Sequence, residues 1–102
     1  MKMDQLLVAL SVLTAGTLGT ATAADVQAGK AKSTACAVCH GANGEGKGSN
    51  PTIAGMAADR FVQAMNDYKS GKRPSAAMKG YAAKLDDADT ANLAAYYASL
   101  KK

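Results

Sequence analysis

Both cysteines and the only histidine of the chain fall in one pentapeptide, Cys36-Ala37-Val38-Cys39-His40. Side chains at this spacing share a helix face, and four chemistries compete for the two thiols. A redox disulfide of the thioredoxin type belongs beside a βαβ pattern, which the sequence lacks. A zinc site needs a second pair of Cys or His ligands, and there is none. A structural disulfide closing so short a loop would stabilise little. The fourth chemistry uses all three residues. Each thiol adds across one vinyl group of a haem, and the imidazole that follows reaches the iron from the proximal side. The C-x-x-C-H spacing is therefore read as a covalent haem site, with Cys36 and Cys39 as tethers and His40 as axial ligand.

The remainder of the chain is too poor in bulk to hold a site by itself. It has 102 residues, and its 48 % apolar share is inflated by alanine. Many of its larger apolar residues precede residue 24. Beyond that point only Val26, Val38, Ile53, Phe61, Val62, Leu85, Leu93, Leu100, three methionines and four tyrosines could build a core. So small a domain needs a disulfide, a metal or a large cofactor to complete it. A large enzyme and a self-sufficient hydrophobic core are both excluded.

Residues 5–24 carry no charge. Lys2 precedes them, Leu6 to Leu13 form an apolar heart, and Ala21-Thr22-Ala23 supplies small residues for cleavage. Residues 1–23 are thus expected to be a secretory signal peptide and residues 24–102 the mature domain. A retained membrane anchor is the rival reading, which the Ser, Thr and Gly residues of the second half disfavour. Loss of Lys2 and Asp4 together would leave the formal charge at +4.

The expected class is all-α, with three main helices. Asp25 is an N-cap candidate, and Val26, Gly29, Ser33 and Cys36 follow at helical spacing. Glycines, asparagines and Pro51 make residues 41–55 a loop. A second helix is expected from Asp59, with Phe61, Met65 and Tyr68 as its stripe and Gly71 as its stop. Residues 72–85, punctuated by Pro74 and Gly80, read as irregular. The third helix opens at Asp86, with Asp89 completing a capping box, and carries Leu93, Tyr96, Tyr97 and Leu100. Among the methionines, Met65 falls on a core stripe. Met56 lies awkwardly close to the attachment site, whereas Met78 sits in a segment able to reach the distal haem face.

With these stretches in place, the chain resembles the class I c-type cytochromes of the short bacterial kind, similar to cytochrome c5, c553 and c4 domains. The resemblance runs through Ala28-Gly29-Lys30-Ala31-Lys32, the attachment pentapeptide, Asn50 to Gly55, Tyr68 to Arg73, Met78 and Leu93 to Leu100. It implies three main helices and loops wrapped around one haem c. It also implies Met78 as the sixth iron ligand and the Pro51 carbonyl as acceptor for the His40 ring. Gly29 and Tyr96 would be the contact where the first and last helices cross. The function implied is that of an exported, periplasmic monohaem electron carrier, not an enzyme, passing single electrons between redox proteins. An open sixth site would instead make it a peroxidase or ligand binder. An uncleaved leader would make it a tethered haem subunit of a larger complex.

Lys69, Lys72, Arg73, Lys79 and Lys84 bracket Met78 with no acidic residue among them. Such a collar would steer the molecule toward acidic docking patches on redox partners. The alternative is a solvated loop whose charges serve solubility. Nucleic acid is not expected as a partner, because stacking aromatics are not interleaved with the basic residues.

Overall fold

A computed structural model describes residues 23–101. The expected signal peptide, apart from Ala23, lies outside the described residues. Five helices follow one another: α1 (Val26–Lys32), α2 (Thr34–His40), α3 (Ala58–Ser70), α4 (Ala76–Ala83) and α5 (Asp87–Ser99). No helix among the described residues is long and apolar enough to cross a membrane.

Local chemistry explains most of these boundaries. The Asp25 carboxylate accepts from the backbone N–H groups of Gln27 and Ala28 and so starts α1. The helical periodicity from Val26 to Cys36 is interrupted at Ser33, whose hydroxyl donates to the Lys30 carbonyl at 2.7 Å. That local bond competes with the helix ladder and bends the run into α1 and α2. Gly71, at φ 83°, ends α3 in the left-handed conformation that suits glycine. Asp86 and Asp89 form a reciprocal capping box at the start of α5.

The expectation of three helices with an irregular 72–85 segment is corrected here. Residues 76–83 form α4, so Met78 is helical. Ser75 caps α4 by accepting from the Met78 N–H at 3.1 Å. Pro74 is thus the residue just before a cap rather than the middle of a loop. Gly80 sits inside the helix, where a Cβ would meet nothing within 4 Å.

The core lies where α5 meets α1 and α3. Leu93 and Tyr97 are fully buried, and Ile53, Phe61, Met65 and Tyr96 join them. Gly29 makes the α1–α5 crossing possible. A Cβ there would lie 2.0 Å from the Asn92 carbonyl oxygen and 2.9 Å from the Tyr96 Cβ. The Asn92 side chain also accepts from the Asp25 N–H at 2.8 Å. The loop after α2 folds under the last helix. Gly44, at φ 72°, admits the Tyr97 ring, and the Gly55 N–H donates to the Tyr97 carbonyl at 2.8 Å.

Candidate cofactor site

α3 packs on both α4 and α5, whereas α2 packs on no described helix except α1. Its open flank faces a cavity of about 370 Å³, within the usual size range of ligand sites. Cys36, Cys39, His40, Pro51 and Met78 all line it. The five residues singled out in the sequence therefore meet in one space. A smaller inner lobe of about 60 Å³ shares Cys36, His40, Pro51 and Met78 with the main cavity.

His40 ends α2, buried to 8 % exposure, with its Nδ1 2.8 Å from the Pro51 carbonyl oxygen. A carbonyl can only accept, so Nδ1 carries a proton, and in the neutral imidazole Nε2 keeps its lone pair. This is the tautomer a metal-binding imidazole needs. The loop presenting Pro51 is tied back at several points. The Asn50 side chain donates to the Cys39 carbonyl at 3.0 Å, Thr52 to the Glu45 carbonyl at 2.8 Å, and the Gly46 N–H to the His40 carbonyl at 2.6 Å. Glu45 in turn accepts from the Asn43 N–H at 2.8 Å. Backbone hydrogen bonds of this kind hold its carboxyl below the usual range, despite full exposure.

Both thiols are free and half-buried. Burial pushes the Cys36 thiol above its ordinary range, opposed by a hydrogen bond from the Tyr97 hydroxyl and reinforced by nearby Cys39. Burial also raises the Tyr97 phenol, which stays protonated and can act as a donor. Met78 is half-buried and packs against the core cluster, as do Tyr68 and Leu85. Met65 is 4 % exposed and belongs to that cluster, as its place on the α3 stripe implied. Met56 lines only the inner lobe of the site.

Two free thiols at one rim, a correctly protonated imidazole and apolar walls fit a covalently held, flat, apolar macrocycle. A family model for cytochrome c matches residues 26–101. The chain belongs to the cytochrome c family. Its cofactor is accordingly a covalently bound haem c.

The relatives agree. The chain is 45 % identical over 101 residues to cytochrome c4 of Pseudomonas aeruginosa, covering 97 % of this chain and 50 % of that protein. It is 37 % identical over 91 residues to cytochrome c-554(547) of Halothiobacillus neapolitanus, covering 78 % of this chain and all of that one. The crystal structure of reduced cytochrome c4 from Pseudomonas stutzeri superposes with a TM-score of 0.72 at 30 % identity. That match covers 78 % of this chain and 47 % of the other. The chain spans about half the length of the cytochrome c4 relatives it matches.

Several residues at the site escaped the sequence reading. Lys32 and Tyr81 line the mouth of the cavity together with Lys84. Their places beside the cavity depend on how α1 and α4 pack, which residue type and spacing do not give. The basic run from Lys69 to Lys84 is not uniformly free. Lys69 donates to the Leu85 carbonyl at 2.6 Å, tying α3 to the turn between α4 and α5. Arg73 lies over the Tyr68 ring and Lys84 over Tyr81.

Proposed function

We propose that this chain is a periplasmic electron carrier in which Cys36 and Cys39 tether one haem c while His40 and Met78 bind its iron. Bound haem c supplies a one-electron ferric/ferrous couple. The chain's own work is to hold, orient and shield. The observation that carries this reading is the His40–Pro51 bond. It leaves Nε2 as the imidazole's available lone pair on a residue that shares its cavity with both cysteines and Met78. A thioether ligand on the opposite face favours ferrous iron and so raises the potential. Apolar walls from Met65, Tyr68 and Leu85 would limit water at the iron, which suits outer-sphere transfer without a substrate pocket.

The spectrum of exported protein beginning at Ala24 tests this assignment. Reduced protein should show sharply split α and β bands, and oxidised protein a weak far-red band from sulfur on iron. Met78→Ala should erase that far-red band. Its survival in the variant, or a high-spin spectrum in the parent, would refute the His40/Met78 pair. The open-site reading, with peroxidase or ligand-binding activity, requires that second outcome.

The partners proposed are redox proteins with acidic docking patches. Lys32 and Lys84 flank the cavity mouth, and Lys72 and Lys79 are exposed nearby in sequence. Lys32 already lies 3.6 Å from Asp89, so part of its charge is offset locally. Electron-transfer rates with an acidic redox protein should fall as salt rises from about 10 mM to 150 mM, where the screening length shrinks from ~30 to ~8 Å. A rate that does not change across that range would remove the electrostatic docking role.

A further inference from the structure

α2 ends where the attachment pentapeptide ends, so its last four carbonyls have no partner within the helix. The loop that follows supplies a donor for each. The Gly41 N–H reaches Ala37 at 2.9 Å and the Gly46 N–H reaches His40 at 2.6 Å. The Lys47 ammonium reaches Val38 at 3.5 Å, and the Asn50 side chain reaches Cys39 at 3.0 Å. Of the two side-chain donors, Lys47 makes the long bond and Asn50 the short one, and Asn50 precedes Pro51 directly. We propose that Asn50 is a positioning residue for the axial imidazole. By holding the Cys39 carbonyl, it sets the Pro51 carbonyl against His40 Nδ1 and so tunes the iron couple. The inference rests on His40 being an iron ligand.

The pairing forms two rungs of one ladder. Cys39 is bonded to Asn50 and His40 to Pro51, neighbour beside neighbour, each across eleven positions. A carbonyl can only accept, so the part of the Asn50 amide that faces Cys39 is its NH2 group. The Asn50 main chain is fixed from the other side. Its N–H donates to the Lys47 carbonyl at 2.9 Å, and its carbonyl accepts from the Lys47 N–H at 3.2 Å. Proline adds a locked φ, so little freedom separates the fixed Asn50 from the Pro51 carbonyl. Releasing the first rung therefore lets the second lengthen. That second rung bears on the couple, because an imidazole that donates Nδ1–H to a fixed acceptor is a more basic ligand. A more basic ligand favours ferric iron.

The test compares haem-loaded parent and Asn50→Ala by two readouts. In NMR of reduced protein with isotope-labelled histidine, the His40 Nδ1–H proton should exchange with solvent on the order of tenfold faster in the variant. At fixed ambient potential the ferric-to-ferrous ratio should fall on the order of threefold, about 28 mV for a one-electron couple. Asn50→Asp keeps the side-chain shape without the donor and should speed the exchange as much, so it carries that readout if Asn50→Ala fails to retain haem. Ser49→Ala changes an exposed neighbour and should leave both readouts at the parent values. Unchanged exchange in the Asn50 variants, or a ratio that does not fall in Asn50→Ala, would overturn the proposal even if Tm drops, because Asn50 would then be structural only. Equal changes in Ser49→Ala would overturn it too. Absence of covalent haem or of the low-spin spectrum in the parent protein would mark failure of the tether and ligand assignment instead.

Discussion

Replacing Cys36 and Cys39 together by serine should abolish covalent haem and leave the chain largely unfolded. The reason is volumetric. The main cavity of about 370 Å³ lies between α2 and the α3–α4 pair, in a domain whose fully buried side chains of any size are Leu93 and Tyr97. Water entering that cleft cannot replace the close-packed contacts that a large apolar cofactor would make with its walls. A small domain has only ~5–15 kcal/mol of stability in total. The helices cannot close the gap cheaply, because α2 is held by the Pro51 loop and packs on no described helix but α1. Far-UV circular dichroism of the double variant should show most helical signal lost, and denaturing electrophoresis should show no retained haem. A cooperative melt with native-like helicity would contradict this account.

Gly29→Ala should cost the haem-loaded protein about 2–3 kcal/mol, the upper part of the usual range for overpacking a tight contact. The new methyl would sit 2.0 Å from the Asn92 carbonyl oxygen and 2.6 Å from its carbon. Both are backbone atoms of α5, so no side-chain rotation relieves the overlap. The two helices must separate, and separation would disturb the Tyr96 packing and the bond from the Asp25 N–H to the Asn92 side chain. For a domain of this size each kcal/mol moves Tm by roughly 4–8 °C, so a fall of about 8–24 °C is expected in thermal unfolding. Gly80→Ala is the matched control. It adds the same methyl inside α4, where nothing lies within 4 Å, and removes a helix-weakening glycine. It should leave Tm unchanged or raise it. A fall for Gly29→Ala no larger than a few degrees would show that the crossing tolerates a side chain.

The two variants also show what sequence could and could not reveal. Asp25, Gly71 and the Asp86–Asp89 box lie within a few residues of the groups they satisfy, so the starts of α1 and α5 and the end of α3 were legible from residue type and spacing. α4 was not legible as a helix. Pro74 and Gly80 are strong local breakers, yet here one precedes the cap and the other is tolerated inside the helix. The break at Ser33 was likewise hidden, because an apolar period says nothing about a hydroxyl turning back onto its own helix.

By itself the sequence pointed to the cofactor, the shortage of core and the all-α class. These follow from residue identity: two thiols and an imidazole at fixed spacing, few large apolar groups, and caps that act over one turn. The tertiary structure decided what depends on distant residues meeting. It orders the His40 tautomer through Pro51, eleven positions away, and gathers Met78 into the same cavity as the pentapeptide. It ties Lys69 to Leu85 and turns Arg73 toward the inner lobe, splitting a basic run that looks uniform along the chain. Charge in a sequence is a count, whereas charge in a fold has a direction. Only the packing of α3 against α4 supplies that direction here.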